Sequence, residues 1–196
     1  ITYKWDERRN SMDVRTLYTQ AKQAAPEEVL HQWQDIMEQF LQRRQERFVR
    51  MNQKEQAEHL ISEANHRERA GLFSFGIDLH VGDICFIDFG ADAYQCEIGF
   101  QHFGIVMKMY HGKAFVIPMS GNPLAYRQAF DVYANPKGKK HLMRIGKVPG
   151  LNKPSTLFLN DCKFINTARI IDVKAHIEKN SDLFQSIYHR MQQVIG

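Results

Sequence analysis

The side chains best equipped for chemistry in this chain are three cysteines, nine histidines and a cluster of lysines. Cys85, Cys96 and Cys162 form no C-x-x-C pair, and an odd number cannot all pair within the chain. They are expected as reduced thiols of a cytosolic protein. A structural zinc site would need more ligands at closer spacing, so no metal and no cofactor is expected. A Cys162–His102 nucleophilic pair lacks any protease-type surroundings. Ser120, in Met119-Ser120-Gly121, lacks the G-x-S-x-G elbow. The cations stand out more clearly. No Asp or Glu occurs from Val132 to Asn160, a stretch that holds Lys137, Lys139, Lys140, Arg144, Lys147 and Lys153, with His141 among them. Such a local field attracts a polyanion. The plainer reading is a basic loop without a partner.

These groups need elements to position them, and the chain has two halves. Residues 1–72 carry 12 basic and 12 acidic side chains, so the net charge of +4 belongs to residues 73–196. The first half reads as helical. A helix is expected over about 11–24. Another opens at Pro26-Glu27-Glu28, where Pro suits the first turn and acids suit the positive end of the dipole. Val29, Trp33, Ile36 and Phe40, with Leu30, Met37 and Leu41 beside them, share one face. That face is expected to be core or an oligomer seam. No Pro or Gly interrupts residues 27–70, which form either one helix of roughly 65 Å or two with a break near 42–54. The charged run RRQERFVR reads as a solvated helix face.

Near Leu72 the period changes. Gly71, Gly76 and Gly82 punctuate the chain, and short runs rich in Ile, Val and Phe follow. Strands are predicted at 83–89, 103–110, 113–119, 141–146, 155–160 and 163–166, with His111-Gly112 as a tight hairpin turn. A helix closes the chain from about Ser181 to Ile195, capped by Asn180 or Ser181, with Leu183, Ile187, Met191 and Val194 on its apolar face. Several short strands and a helix suggest a small, partly closed barrel. With 43% hydrophobic and 24% charged residues in 196, the chain is too apolar to be disordered and long enough for one domain plus an extension. No apolar run reaches about 18 residues, so no membrane span is expected. ITYKWDERRN has no apolar secretory core, and its lack of an initiator Met suggests that the native start lies elsewhere. A cytoplasmic location is expected.

Three segments of the second half carry a family resemblance. Gly82-Asp83-Ile84-Cys85-Phe86-Ile87-Asp88-Phe89-Gly90 resembles the opening strand of the MazF/PemK (Kid) toxins. Glu97-Ile98-Gly99-Phe100-Gln101-His102-Phe103-Gly104-Ile105-Val106 is similar to their E-x-G-x-x-R-P segment, and Val116-Ile117-Pro118-Met119-Ser120 to the V-x-P-[LI]-[TS] strand end that follows. Leu157 to Ile170 resembles the L-D-Q-I-R-T segment ahead of the last helix. The resemblance covers about residues 80–195. It implies an α+β fold, an SH3-like (plasmid-maintenance-toxin) β-barrel with a C-terminal helix, over residues 73–196, preceded by a helical extension over residues 1–72.

The resemblance also implies a toxin endoribonuclease that cuts single-stranded RNA without a metal, works as a homodimer and is restrained by an antitoxin protein. Cleavage through the 2′-hydroxyl leaves a 2′,3′-cyclic phosphate. It needs a base for the hydroxyl proton and hydrogen-bonding or positive groups at the phosphate. The family's catalytic Arg falls on His102, its strand-end Thr or Ser on Ser120 and its Glu on Glu97, which makes these three the implied catalytic residues. Lys163 takes the place of the Arg in D-Q-I-R. Lys163, Gln101, Phe103 and Asn122 are the implied RNA contacts, Phe103 as a stacking surface. Imidazole suits proton transfer but cannot clamp a phosphate as guanidinium does. Loss of the Arg therefore leaves an alternative: a catalytically inactive barrel that binds nucleic acid or a protein.

Overall fold

A computed structural model describes residues 14–23 and 33–196, with side chains described for 18–23 and 34–196. The expected helix opening at Pro26, together with Val29 and Leu30, lies outside the described residues, as does the side chain of Trp33. The chain divides into two compact units, Ile1–Asn52 and Gln53–Gly196. The division by contacts falls at Gln53, whereas the change of period and the resemblance put the expected boundary at residue 73.

The first unit contains helices α1 (Val14–Gln23) and α2 (Trp33–Val49). The long apolar pattern is broken after Val49, and helix α3 (Gln53–Arg69) starts the second unit. Of the two roles expected for the α2 stripe, core or oligomer seam, the core role is not met among the described residues: Met37, Phe40 and Leu41 are 39, 55 and 55% exposed.

The second unit is an α+β fold. Its strands are β1 (Asp83–Asp88), β2 (Gln101–Tyr110), β3 (Lys113–Ser120), β4 (Ala129–Phe130), β5 (Lys139–Gly146), β6 (Ser155–Phe158), β7 (Lys163–Asn166) and β8 (Ile170–His176). Helix α4 (Pro123–Gln128) follows β3, and α5 (Asp182–Ile195) ends the chain. The eight-stranded sheet runs β4-β5-β6-β3-β2-β1-β8, with β7 also on β3. All pairings are antiparallel except β4 with β5. Strand β3 divides its second edge: Lys113–Val116 pairs with β7, and Met119–Ser120 pairs with β6. The two ends of the sheet, β4 and β8, do not pair, so the expected barrel is not closed. A two-residue β4 is too short to carry a ladder round to β8.

The β2–β3 hairpin turns at His111-Gly112 with φ of 41° and 74°, the double positive φ of a type I′ turn. Strand β8 and the pair α4–β4 are additions to the expected pattern. In β8 a mixed half-buried run, IIDVKAH, follows a 3-10 turn with no Gly or Pro to announce it.

Alternation of side chains divides the core between the two faces of the sheet. Ile84, Ile105, Ile117, Met119 and Leu157 face α5, where Phe184, Ile187 and Met191 meet them. The helix starts with Ser181 Oγ accepting from the Phe184 amide at 3.2 Å. Cys85, Ile87, Val106, Val116, Ile165 and Ile170 make a second cluster on the other face.

Helix α3 is fixed to the end of β1 by one buried carboxylate. Asp88 accepts from Ser62 Oγ at 2.6 Å and from Asn65 Nδ2 at 2.7 Å, and the Gly90 amide adds a third donor at 3.0 Å. Arg69 donates to the Ile170 carbonyl and lies over the Phe75 ring. Among the described residues no helix is long and apolar enough to cross a membrane.

Candidate functional site

Strands β2 and β3 pair Phe103 with Met119, Gly104 with Pro118 and Ile105 with Ile117. One step further along this register, His102 stands opposite Ser120. Phe103 and Met119 point into the first cluster, so His102 and Ser120 emerge on the other face, and directly opposed residues share that face. Lys163 lies there too, because it pairs with Val116 of the second cluster. Two more pairings extend the line. Thr156 is opposite Ser120, and Arg144 is opposite Thr156. A row of polar residues thus crosses four strands: His102, Ser120, Thr156, Arg144.

The imidazole is held by its own loop. His102 Nδ1 lies 2.8 Å from the Gly99 carbonyl. A carbonyl only accepts, so Nδ1 carries the hydrogen and neutral His102 presents the lone pair at Nε2. The carbonyl is in turn fixed. Phe100 takes φ of 55° and closes the loop through two backbone hydrogen bonds, its amide to Gly90 and its carbonyl from Phe89. The Ile98 amide donates to Asp161 Oδ2 at 2.7 Å. At Gly99 a Cβ would come within 2.7 Å of Ala93 Cβ, so this close approach needs glycine.

Asp161 serves two partners. Its Oδ1 takes the Lys163 ammonium at 2.8 Å, with the Lys163 side chain 31% exposed. That ammonium also lies 5.8 Å from the Phe89 ring. Phe89 covers Gly104, two residues from His102, with its Cζ 3.6 Å from where a Gly104 Cβ would stand. Phe89 is therefore an apolar surface beside Gly104 and the Lys163 ammonium.

The Ser120 hydroxyl accepts from the Asn122 amide at 3.2 Å, which leaves its own hydrogen free to donate. Asn122 caps α4, with Oδ1 accepting from the Leu124 amide at 2.8 Å, so its side chain is committed to the fold. Beside this turn, the stem of Lys153 runs 3.4 Å from the Cβ position of Gly121.

The other expected site residues are placed elsewhere. Glu97 is exposed, and its carboxylate accepts from the Tyr94 amide of its own loop. Gln101 and Phe103 point to the face opposite His102. Gln101 donates to the Glu58 carbonyl of α3 at 3.5 Å, and Phe103 packs on Phe86 with ring centroids 5.2 Å apart. Sequence reasoning did not find Phe89, Thr156 or Asp161. Only cross-strand register and a loop contact bring them in, and neither has a local sequence signal.

The basic stretch is partly structural. Arg144 donates to the carbonyls of Tyr126 and Arg127 at the end of α4. Lys137, Lys139, Lys140, Lys147 and Lys153 are exposed. Among the described residues, no group of three or more His, Cys, Asp or Glu could hold a metal ion.

All three cysteines are free. Burial pushes the Cys85 thiol up to about 12, with Asp83 and Asp172 adding to the shift. Burial and then Asp161 push Cys162 up to about 11. Both stay protonated near neutral pH and are poor nucleophiles. At pH 8, iodoacetamide is expected to label the native protein once, at exposed Cys96, and three times in denaturant. Mass spectrometry showing fast native labelling of Cys162 would contradict this.

No protein-family model matches the chain, and no curated protein matches it. Among solved structures, the Mycobacterium tuberculosis toxin MazF-mt6 is similar at a TM-score of 0.37 and 12% identity, over 58% of this chain and 92% of that one. A likeness this distant carries no argument about activity.

Proposed function

We propose that the face carrying His102 and Ser120 cleaves single-stranded RNA without a metal, as a toxin-like endoribonuclease on an incompletely closed SH3-like sheet. The observation that carries this reading is the β2–β3 register, with Phe103 across from Met119; continued by one residue it brings the His102 imidazole and the Ser120 hydroxyl opposite each other on one face. Of the three sequence segments that resemble the MazF/PemK family, the second, 97–106 with the strand end 116–120, contributes both of these residues.

The roles follow from the atoms. His102 Nε2 takes the proton of a ribose 2′-hydroxyl. The 2′-oxygen bonds to phosphorus while the bond from phosphorus to the 5′-oxygen breaks, and the leaving oxygen takes a proton from water. The Ser120 hydroxyl donates to a non-bridging oxygen as charge grows there. Lys163, tethered to Asp161, supplies a cation at the rim, and Phe89 is the aromatic on this face for a base to stack on. Products are a 2′,3′-cyclic phosphate and a 5′-hydroxyl, and DNA is spared. An antitoxin seated on the same face would exclude RNA, and a homodimer would present two such faces.

The test is incubation of the purified protein with a long single-stranded RNA in EDTA, followed by analysis of the ends. Cleavage with cyclic phosphate ends, blocked by a 2′-deoxy substitution at the cut, is expected. RNA left whole at high protein concentration overturns the reading. RNA that is bound but whole assigns the alternative, a non-catalytic binding module.

A further inference from the structure

Thr156 is fully buried, and its Oγ1 has no hydrogen-bond partner among the described residues. A buried hydroxyl without a partner costs free energy that a valine of the same shape would not. The position is also specific. Thr156 is the direct cross-strand neighbour of Ser120 on the face that carries His102, and strands stand about 4.8 Å apart. Cross-strand Thr–Ser pairs on one face are within hydrogen-bond reach of each other. Ser120 Oγ has so far one donor, the Asn122 amide at 3.2 Å, and a hydroxyl oxygen accepts two.

We infer that Thr156 is a positioning residue for Ser120: when an RNA phosphodiester takes the Ser120 hydrogen, Thr156 Oγ1 turns to donate to Ser120 Oγ. This rests on the ribonuclease reading above. No covalent bond changes at Thr156. Two donors, the Asn122 amide and the Thr156 hydroxyl, then fix the Ser120 oxygen and polarise its O–H toward the phosphate. The burial that makes Oγ1 costly in the free protein also keeps water from taking this place. Arg144, next in the row, pairs with Thr156 across the strands, and its guanidinium is engaged by the carbonyls at the end of α4.

The test compares the full-length protein with Thr156→Val and Thr156→Ser in RNA cleavage, in binding of the same RNA with a 2′-deoxy residue at the cut, and in thermal unfolding. Thr156→Val is expected to lower kcat by roughly five- to ten-fold with KM little changed, and to unfold at the same or a higher temperature. Thr156→Ser is expected to restore kcat. A purely structural hydroxyl gives the opposite pattern, a lower unfolding temperature with normal kcat. Either that result, or Thr156→Val cleaving like the wild type, overturns the inference and leaves the ribonuclease reading standing. A wild type that neither cuts nor binds RNA overturns that reading and the inference with it.

Discussion

Replacing His102 with alanine is expected to lower kcat for RNA cleavage by about 10²- to 10⁴-fold, the range that a positioned proton-transfer group contributes, while the protein stays folded. The imidazole is half-buried at the start of β2 and has one polar tie, to the Gly99 carbonyl at 2.8 Å. Its loss removes the Nε2 lone pair and one hydrogen bond, to the Gly99 carbonyl. Circular dichroism and the unfolding temperature should change little. Ser120→Ala is expected to have a smaller effect, about ten-fold, because it removes one neutral hydrogen bond to the phosphate. The double substitution should cost less than the two losses multiplied, since residues that serve one transition state act as a unit. A His102→Ala protein with wild-type kcat in a chelator would remove His102 from the chemistry. Cleavage in the wild-type sample would then come from another site or a contaminant.

The second large effect is on stability. Asp88→Ala is expected to destabilise the second unit by about 2–4 kcal/mol. Asp88 is 4% exposed and Ser62 is 4% exposed. Removing the carboxylate leaves the Ser62 hydroxyl, the Asn65 amide and the Gly90 amide without their acceptor. Denaturant unfolding measures the loss, and an unchanged midpoint would contradict the account. Truncation tests the same contact from the other side. A protein starting at Gln53 keeps Ser62 and Asn65 and is expected to fold as the second unit does in the full chain. A protein starting at Phe73 loses both donors and strands a buried carboxylate, so it is expected to unfold at lower denaturant or to be insoluble. The same comparison tests the resemblance-based domain boundary at residue 73 against the contact-based one at Gln53.

The strands were legible because they are strongly patterned. Residues 83–88 and 163–166 were found with errors of at most one residue at an end, and the His111-Gly112 turn follows from its dipeptide. The closing helix was legible from the cap Ser181 and the Leu183, Ile187, Met191, Val194 stripe. Strand β8 was not, because its half-buried mixture of Ile, Asp, Val and Lys reads equally well as loop. The apolar stripe of α2 was visible, but periodicity says only that a helix has an apolar face, not whether anything covers it. The assignment of α3 to the sheet was invisible, since the contact to Asp88 spans 26 residues in sequence and involves residue types common on any helix surface.

By itself the sequence determined most of the order of the elements and the two halves with different periods, because side-chain periodicity and turn chemistry act over a few residues; His102 and Ser120 came forward only through the resemblance of their segments to a family. The tertiary structure decided what shares a face. Strand pairing joins residues 16 positions apart, as for Phe103 and Met119, or 36, as for Ser120 and Thr156, and a shift of one residue would send each to the other side of the sheet. It therefore brought in Thr156, Asp161 and Phe89 and turned Gln101 and Phe103 away. Register is a property of the assembled sheet, fixed by burying two clusters at once, and no single segment contains it.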